Sequence, residues 1–159
     1  MYEYLKQYAP VSDELCEALS DSCEQKEFSK RDLLVSADTE CNYLYFILEG
    51  LCISYFEKDG RVCVARFCKE GDFCTPFHSF LGEKKSFLSV VAYERTTVLC
   101  ISRKAFDCLW QKFDGFSTLI YAALEKQTIE YEERDFWMRS LSSVERLRHS
   151  LEIREVQSL

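Results

Sequence analysis

Residues 1–116 of this sequence predict a mainly β domain of the α+β class, an antiparallel β-roll or jelly-roll preceded by N-terminal helices. Residues 117–159 predict a long C-terminal helix and the start of a further region. Three observations carry that reading. From Phe28 to Ser102 the chain breaks into short apolar runs, rich in aromatic and β-branched residues, separated by turn residues. Asp59-Gly60 stands between two of those runs, and a two-residue Asp-Gly turn signals a hairpin because both central residues need positive φ. From Ser117 to about Ser140 there is neither glycine nor proline, so nothing interrupts a helix.

Each element has its own local reason. Residues 1–24 read as helical: Ser12 suits an N-cap, Asp13 and Glu14 suit the positive end of the dipole, and Val11, Leu15, Ala18 and Leu19 form one stripe. Strands are expected over Tyr43 to Leu48, Leu51 to Lys58, Arg61 to Phe67, Phe87 to Tyr93 and Thr97 to Ile101, within a set of about eight. Ser102 caps a helix with apolar residues at Phe106, Leu109, Trp110 and Phe113, which Asp114-Gly115 is expected to break. In the long helix Ile120, Leu124, Gln127, Tyr131, Arg134, Met138 and Leu141 step alternately by three and four, the spacing of a two-helix seam. Ser143 caps a short amphipathic segment, Val144 to Leu151.

Composition narrows the function. Of 159 residues 47% are hydrophobic and 14% aromatic, which supports a packed core and excludes general disorder. No apolar run reaches the roughly 18 residues of a membrane span, and Met1 to Pro10 is too polar for a signal peptide. A cytoplasmic protein is the expectation. Nine cysteines, an odd number without an export signal, read as reduced thiols, several of them (Cys52, Cys63, Cys100) inside strand-like runs. A net charge of −7 with no lysine or arginine cluster beyond pairs such as Lys30-Arg31 makes the chain by itself a poor DNA binder.

The ordered motifs carry a resemblance. Asn42 to Gly50, the Lys58-Asp59-Gly60-Arg61 hairpin, the Glu70-Gly71-Asp72-Phe73 turn and Val98 to Ser102 followed by a helix are similar, in order and spacing, to the cyclic-nucleotide-binding domain of Crp/Fnr transcription regulators. The similarity runs from about Leu5 to Leu151. It implies a β-roll of the cyclic-nucleotide-binding-domain type and a homodimer formed through the long helix. Gly50, Gly60 and Gly71 fall where such a roll reverses, and Asp38 stands where the family usually has glycine, a residue able to enter the left-handed region.

In nucleotide-binding members a Gly-Glu pair opens a phosphate cassette and an Arg-Ser or Arg-Thr pair closes it. The corresponding residues here are Thr75-Pro76 and Ser86-Phe87. The arginine that neutralises the cyclic phosphate is missing, as is the carboxylate for the ribose. Loss of such a partner costs a phosphate ligand roughly 2–5 kcal/mol, so ordinary cyclic AMP binding is not expected. Residues implied at the pocket are Gly71, Asp72, Phe73, Thr75, His78, Lys84, Lys85, Ser86 and Ser89, with Tyr131 and Glu132 of the long helix where members contact the base. Lys84 and Lys85 either serve a small anionic or nucleotide effector as point charges or form a solvated turn. Tyr131 is equally a seam aromatic.

Catalysis finds no footing. The only histidines are His78 and His149, and there is no Cys-x-x-Cys or His-x-His spacing. Cys63, Cys68 and Cys74 are irregularly spaced, and Cys16 and Cys23 are too few for an iron–sulfur cluster. Neither metal nor resident cofactor is expected. After the Ser-Ser-x-Glu-Arg segment (Ser142, Ser143, Glu145, Arg146) full-length members continue into a helix-turn-helix, which the remaining residues cannot form. The sequence therefore predicts a non-enzymatic sensor and dimerisation module of a Crp/Fnr-type regulator with an unidentified effector. The alternative is a free-standing small-molecule-binding module that regulates a partner protein.

Overall fold

The structure is a computed structural model, and it describes residue 5 and residues 7–140. Elements follow in the order α1 (Asp13–Ser22), β1 (Cys23–Phe28), β2 (Leu33–Val35), β3 (Tyr43–Glu49), β4 (Cys52–Lys58), β5 (Arg61–Cys68), α2 (Phe77–Phe80), β6 (Ser89–Ala92), β7 (Thr96–Ser102), α3 (Arg103–Lys112) and α4 (Asp114–Ser140). The strands make two antiparallel sheets, β1-β7-β3 and β2-β6-β4-β5. The antiparallel roll expected from the sequence is present.

Strand alternation sorts the core. Tyr45 lies opposite Cys100 and Ile47 opposite Val98, all buried, on one face of the three-stranded sheet. Tyr45 crosses to the other sheet, its hydroxyl donating to the Leu34 carbonyl at 3.2 Å. In the four-stranded sheet Cys52 pairs with both Ala92 and Cys68, and Ser54 with both Val90 and Arg66. The first three and Val90 are almost wholly buried, so this row of the sheet faces the roll interior and Arg66 enters with it. On the opposite face of the three-stranded sheet Leu44, Phe46, Leu99 and Ile101 meet Leu19, Phe116 and Leu119 around an apolar hollow of about 20 Å³.

The local signals act where expected. Ser12 and Ser102 cap their helices, their hydroxyls accepting from the Leu15 and Ala105 amides. Lys58 pairs with Arg61, and Asp59 and Gly60 both take positive φ, +52° and +71°, in the two-residue turn. Gly50 (+97°), Gly71 (+81°) and Asp38 (+62°) also lie in the left-handed region.

Two expectations need correction. Residues 1–24 are not helical throughout: residues 7–12 are not in a helix, α1 runs from Asp13 to Ser22, and Cys23 already begins β1. The described residues hold seven strands, in keeping with the expected number. The break after α3 falls at Phe113, not Asp114-Gly115. Gly115 is helical and sits so close to Leu15 that an added Cβ would lie 3.3 Å from its Cδ2.

The chain forms two compact units, Met1–Leu119 and Ile120–Leu159. The described part of the second is the continuation of α4, whose 27 residues measure about 40 Å. Tyr121, Ile129, Tyr131, Phe136 and Trp137 are exposed along it. Of the expected seam, Ile120 is fully buried already, Leu124 and Gln127 are half-buried, and Tyr131 and Arg134 are exposed. Met138 lies on the helix. Leu141 and the Val144 to Leu151 segment lie outside the described residues.

Candidate functional site

The stretch from Gly71 to Ser89 is built onto the roll by backbone bonds. Gly71 donates to the Ile47 carbonyl at 2.9 Å, Ile47 to the Asp72 carbonyl at 3.0 Å, and Cys74 to the Tyr45 carbonyl at 3.0 Å. Asp72 is buried, and its carboxylate accepts from the Lys69 amide at 3.1 Å, closing the turn before Phe73. Phe73 packs edge-on against Phe46, with ring centres 5.0 Å apart. From the N-terminal side, Gln7 Nε2 and the Tyr8 hydroxyl both donate to the Gly71 carbonyl at 2.8 Å.

The hydroxyls singled out as ligand donors are engaged in holding this stretch. Thr75 Oγ1 accepts from the Tyr45 amide at 2.7 Å, and Ser89 Oγ from the Ala37 amide at 3.0 Å. Ser86 is 1% exposed; its hydroxyl donates to the Leu88 carbonyl at 2.7 Å and accepts from the Leu88 amide at 3.0 Å. Its main chain bonds to Asp38 and Thr39 across the roll. The Ser86 hydroxyl is thus folded back onto the backbone two residues further on. Lys84 and Lys85 are exposed on the turn after α2 and bring no paired charge to the interior. Tyr131 and Glu132 are exposed on the second unit.

His78 lies on α2. Its ring stacks on Phe87 at 3.8 Å, Nε2 accepts from the Phe87 amide at 3.2 Å, and Ser86 Oγ stands 3.5 Å from the same nitrogen. That acceptor role requires the neutral imidazole. Burial, and after it the nearby Lys84 ammonium, hold the His78 pKa below its ordinary 6.5. Because the folded value is depressed, this contribution to stability is fully present above the unfolded pKa and is lost as pH falls through the folded one. The stability gap between the native chain and His78→Asn is therefore expected to shrink between about pH 7.5 and 5. Urea melts across that range check it, and a gap independent of pH would refute it.

The sequence did not flag Arg66, Ser79 or Arg103. Arg66 Nη1 donates to the Phe73 carbonyl at 2.7 Å and touches Cys68 Sγ at 3.6 Å. The only available signal was strand alternation, which puts residue 66 on the same face as Cys68. Ser79 Oγ accepts from the Cys41 amide at 3.0 Å and donates to the Lys84 carbonyl at 2.5 Å. Arg103 bonds the Phe80 carbonyl and bridges to Glu83 at 2.8 Å and Asp107 at 3.2 Å, tying α2 and its following turn to α3. Among the described residues no group of three or more His, Cys, Asp or Glu is arranged to hold a metal ion, and no helix is long and apolar enough to cross a membrane.

A two-sheet antiparallel roll, closed by a Gly-Asp-Phe turn and a short helix and followed by a long one, defines the class of domain. The sequence pattern described as "Cyclic nucleotide-binding domain" matches residues 25–113, and the chain belongs to that family. The family's domain is a regulatory, non-catalytic fold. Among solved structures, the fold is shared with the catabolite activator protein of Thermus thermophilus (TM-score 0.70, 18% identity, covering 86% of this chain and 63% of that one). It is shared too with a CooA mutant from Carboxydothermus hydrogenoformans (TM-score 0.66, 18% identity, 88% of each chain). A third case is the regulatory subunit of a cAMP-independent protein kinase A from Trypanosoma brucei, as a mutant bound to cAMP (TM-score 0.63, 21% identity, 80% of this chain and 45% of that one). The chain therefore spans under two thirds of the Thermus protein and under half of the trypanosome one. No curated protein matches the sequence.

Proposed function

We propose that this chain is the sensor and dimerisation module of a Crp/Fnr-type transcription regulator whose pocket does not take cyclic AMP in the ordinary way. One observation carries the second half: Ser86, at the position of the phosphate-binding arginine, is buried with its hydroxyl closed on Leu88. A cyclic phosphate brought there would lose its aqueous shell without gaining a countercharge. Thr75-Pro76 likewise offers no carboxylate to a ribose, and Thr75 Oγ1 is committed to Tyr45. The first half is supported by the three-and-four spacing of the α4 stripe that carries Leu124, Gln127 and the exposed Tyr131, surface that pairing of two helices would cover. The module senses an effector other than cyclic AMP and transmits through the helix pair to a partner region.

The test has two arms. Cyclic AMP at about 1 mM is expected to leave the melting temperature unchanged, whereas a bound ligand at 100 times its Kd would stabilise by about 2.7 kcal/mol. Light scattering at tens of micromolar is expected to give twice the chain mass of 18.7 kDa. A clear thermal shift would overturn the reading of the pocket, and a monomer would overturn the dimerisation role.

A further inference from the structure

Residues 86–88 close the cassette and are held from three sides. The Ser86 amide donates to the Thr39 carbonyl at 2.8 Å, and its carbonyl accepts from the Asp38 amide at 2.7 Å. The Ser86 hydroxyl clasps Leu88. Phe87, between them, is 64% exposed and is tied down by His78 of α2. The two rings lie 19° from parallel with centres 3.8 Å apart, and His78 Nε2 accepts from the Phe87 amide at 3.2 Å.

An imidazole accepts at Nε2 only while that nitrogen carries no proton. A proton arriving there sets one N–H against another, so the bond to Phe87 is lost outright. The charged ring then presents a donor where it had a lone pair. Ser86 Oγ, 3.5 Å from the same nitrogen, is the acceptor at hand. It donates to the Leu88 carbonyl and accepts once from the Leu88 amide, which leaves it a lone pair for a second donor. Protonation therefore moves His78 from Phe87 to Ser86 and draws on the clasp around Leu88.

The surrounding charges decide which form rests at neutral pH. Glu83, Lys84 and Lys85 stand on the turn after α2, and Arg103 stands on α3, bridged to Glu83 and Asp107. The loop before β3, which pairs with residues 85 and 86, carries Asp38, Glu40 and Cys41. Burial pushes the Cys41 thiol up to about 11, so it stays protonated. Among the described residues no carboxylate forms an ion pair with the His78 ring. Burial and the Lys84 ammonium both oppose a charge on it. The neutral, bonded form is the resting one, and acid reverses it. His78 is half-buried, so solvent supplies the proton directly.

We propose that a proton on His78 unfastens residues 86–88 from α2, so that acidification is a signal this module reads at its cassette. The proposal rests on the reading of the chain as a sensor of something other than cyclic AMP, and it names the signal.

The test is a titration of the native full chain from about pH 8 to 5, followed by nuclear magnetic resonance. The Phe87 amide shift is expected to move with the His78 ring at one shared midpoint below 6.5. Long-range proton–nitrogen spectra should show Nε2 as the bare nitrogen above that midpoint. Solvent exchange of the Phe87 amide, corrected for its intrinsic pH dependence, should be about fivefold faster in the acid form, the effect of one lost hydrogen bond. Exchange at Val98, wholly buried in the middle strand β7, should stay unchanged. In His78→Phe, which keeps a ring against Phe87 but takes no proton, the Phe87 amide should ignore pH. A Phe87 amide that stays fixed while His78 titrates, unequal midpoints, a response surviving in His78→Phe, or matching acceleration at Val98 would each overturn the proposal. The native titration decides the matter even where the variant does not fold. Cyclic AMP added to the same sample at about pH 7.5 separates the two failures. Shifts across residues 71–89 would remove the reading beneath the proposal, whereas a fixed Phe87 amide without such shifts removes the proton switch alone.

Discussion

Gly50→Ala is expected to destabilise the fold by about 4 kcal/mol, the sum of a left-handed backbone penalty and a steric clash. Gly50 joins β3 to β4 with φ at +97°, and a Cβ there would lie 2.6 Å from the Arg95 carbonyl oxygen, 2.7 Å from Thr96 Oγ1 and 2.9 Å from Thr96 Cα. Two of these three are backbone atoms at the start of β7, the middle strand of its sheet, so relief means moving that strand. Thr96 itself is fully buried, its hydroxyl donating toward the Leu51 and Glu94 carbonyls. Gly60→Ala makes the control: its φ is +71°, but nothing lies within 4 Å of an added Cβ, so only the conformational cost of about 1 kcal/mol remains. Urea titration of both variants reads the difference. Equal midpoints would mean the close approach at Gly50 is not what that turn requires.

Phe116→Ala is expected to cost about 3–5 kcal/mol. The ring is 0% exposed, meets Phe106 edge-on at 5.3 Å, and helps line the apolar hollow between the three-stranded sheet and the helices. A void already exists beside it, so truncation enlarges an existing cavity rather than opening one that neighbours can fill. The expected value therefore sits toward the upper end. Phe136→Ala, at a ring 60% exposed, should change stability by less than about 0.5 kcal/mol. Denaturant midpoints of the two variants supply the comparison, and a mild loss at Phe116 would show that the first turn of α4 is not held by the core.

What could be read before the coordinates follows how local each signal is. Ser12, Ser102 and Asp59-Gly60 act through bonds to residues two or three positions away, so their roles were visible from neighbouring letters alone. β1 was not. Cys23-Glu24-Gln25-Lys26-Glu27-Phe28 carries four polar residues in a row and reads like the tail of a helix. It becomes a strand because β7, more than seventy residues later, offers it an edge. The same holds at the site. The turn around Ser86 was legible, but its inward-turned hydroxyl depends on Leu88 and on the loop at Asp38 and Thr39. The stack of His78 on Phe87, nine residues apart, and the pairing of Cys52 with Cys68 are products of tertiary closure that no spacing announces. On α4 the spacing of the stripe was legible, but the sequence alone did not show that Ile120 is buried while Tyr131 and Arg134 are exposed.

The position of β7 in its sheet has a consequence for biosynthesis. Both β1 and β3 are hydrogen-bonded to it, and among the described residues β1 has no other strand neighbour, although it is the first of these strands to be made and β7 the last. A nascent chain emerging from a ribosome therefore carries β1 unpaired until Thr96–Ser102 has cleared the exit. Pairings that span so much sequence are slow to close. During that interval the aromatic run of β3 is exposed to other chains, and the whole roll assembles only once its central strand arrives to join both ends of the domain.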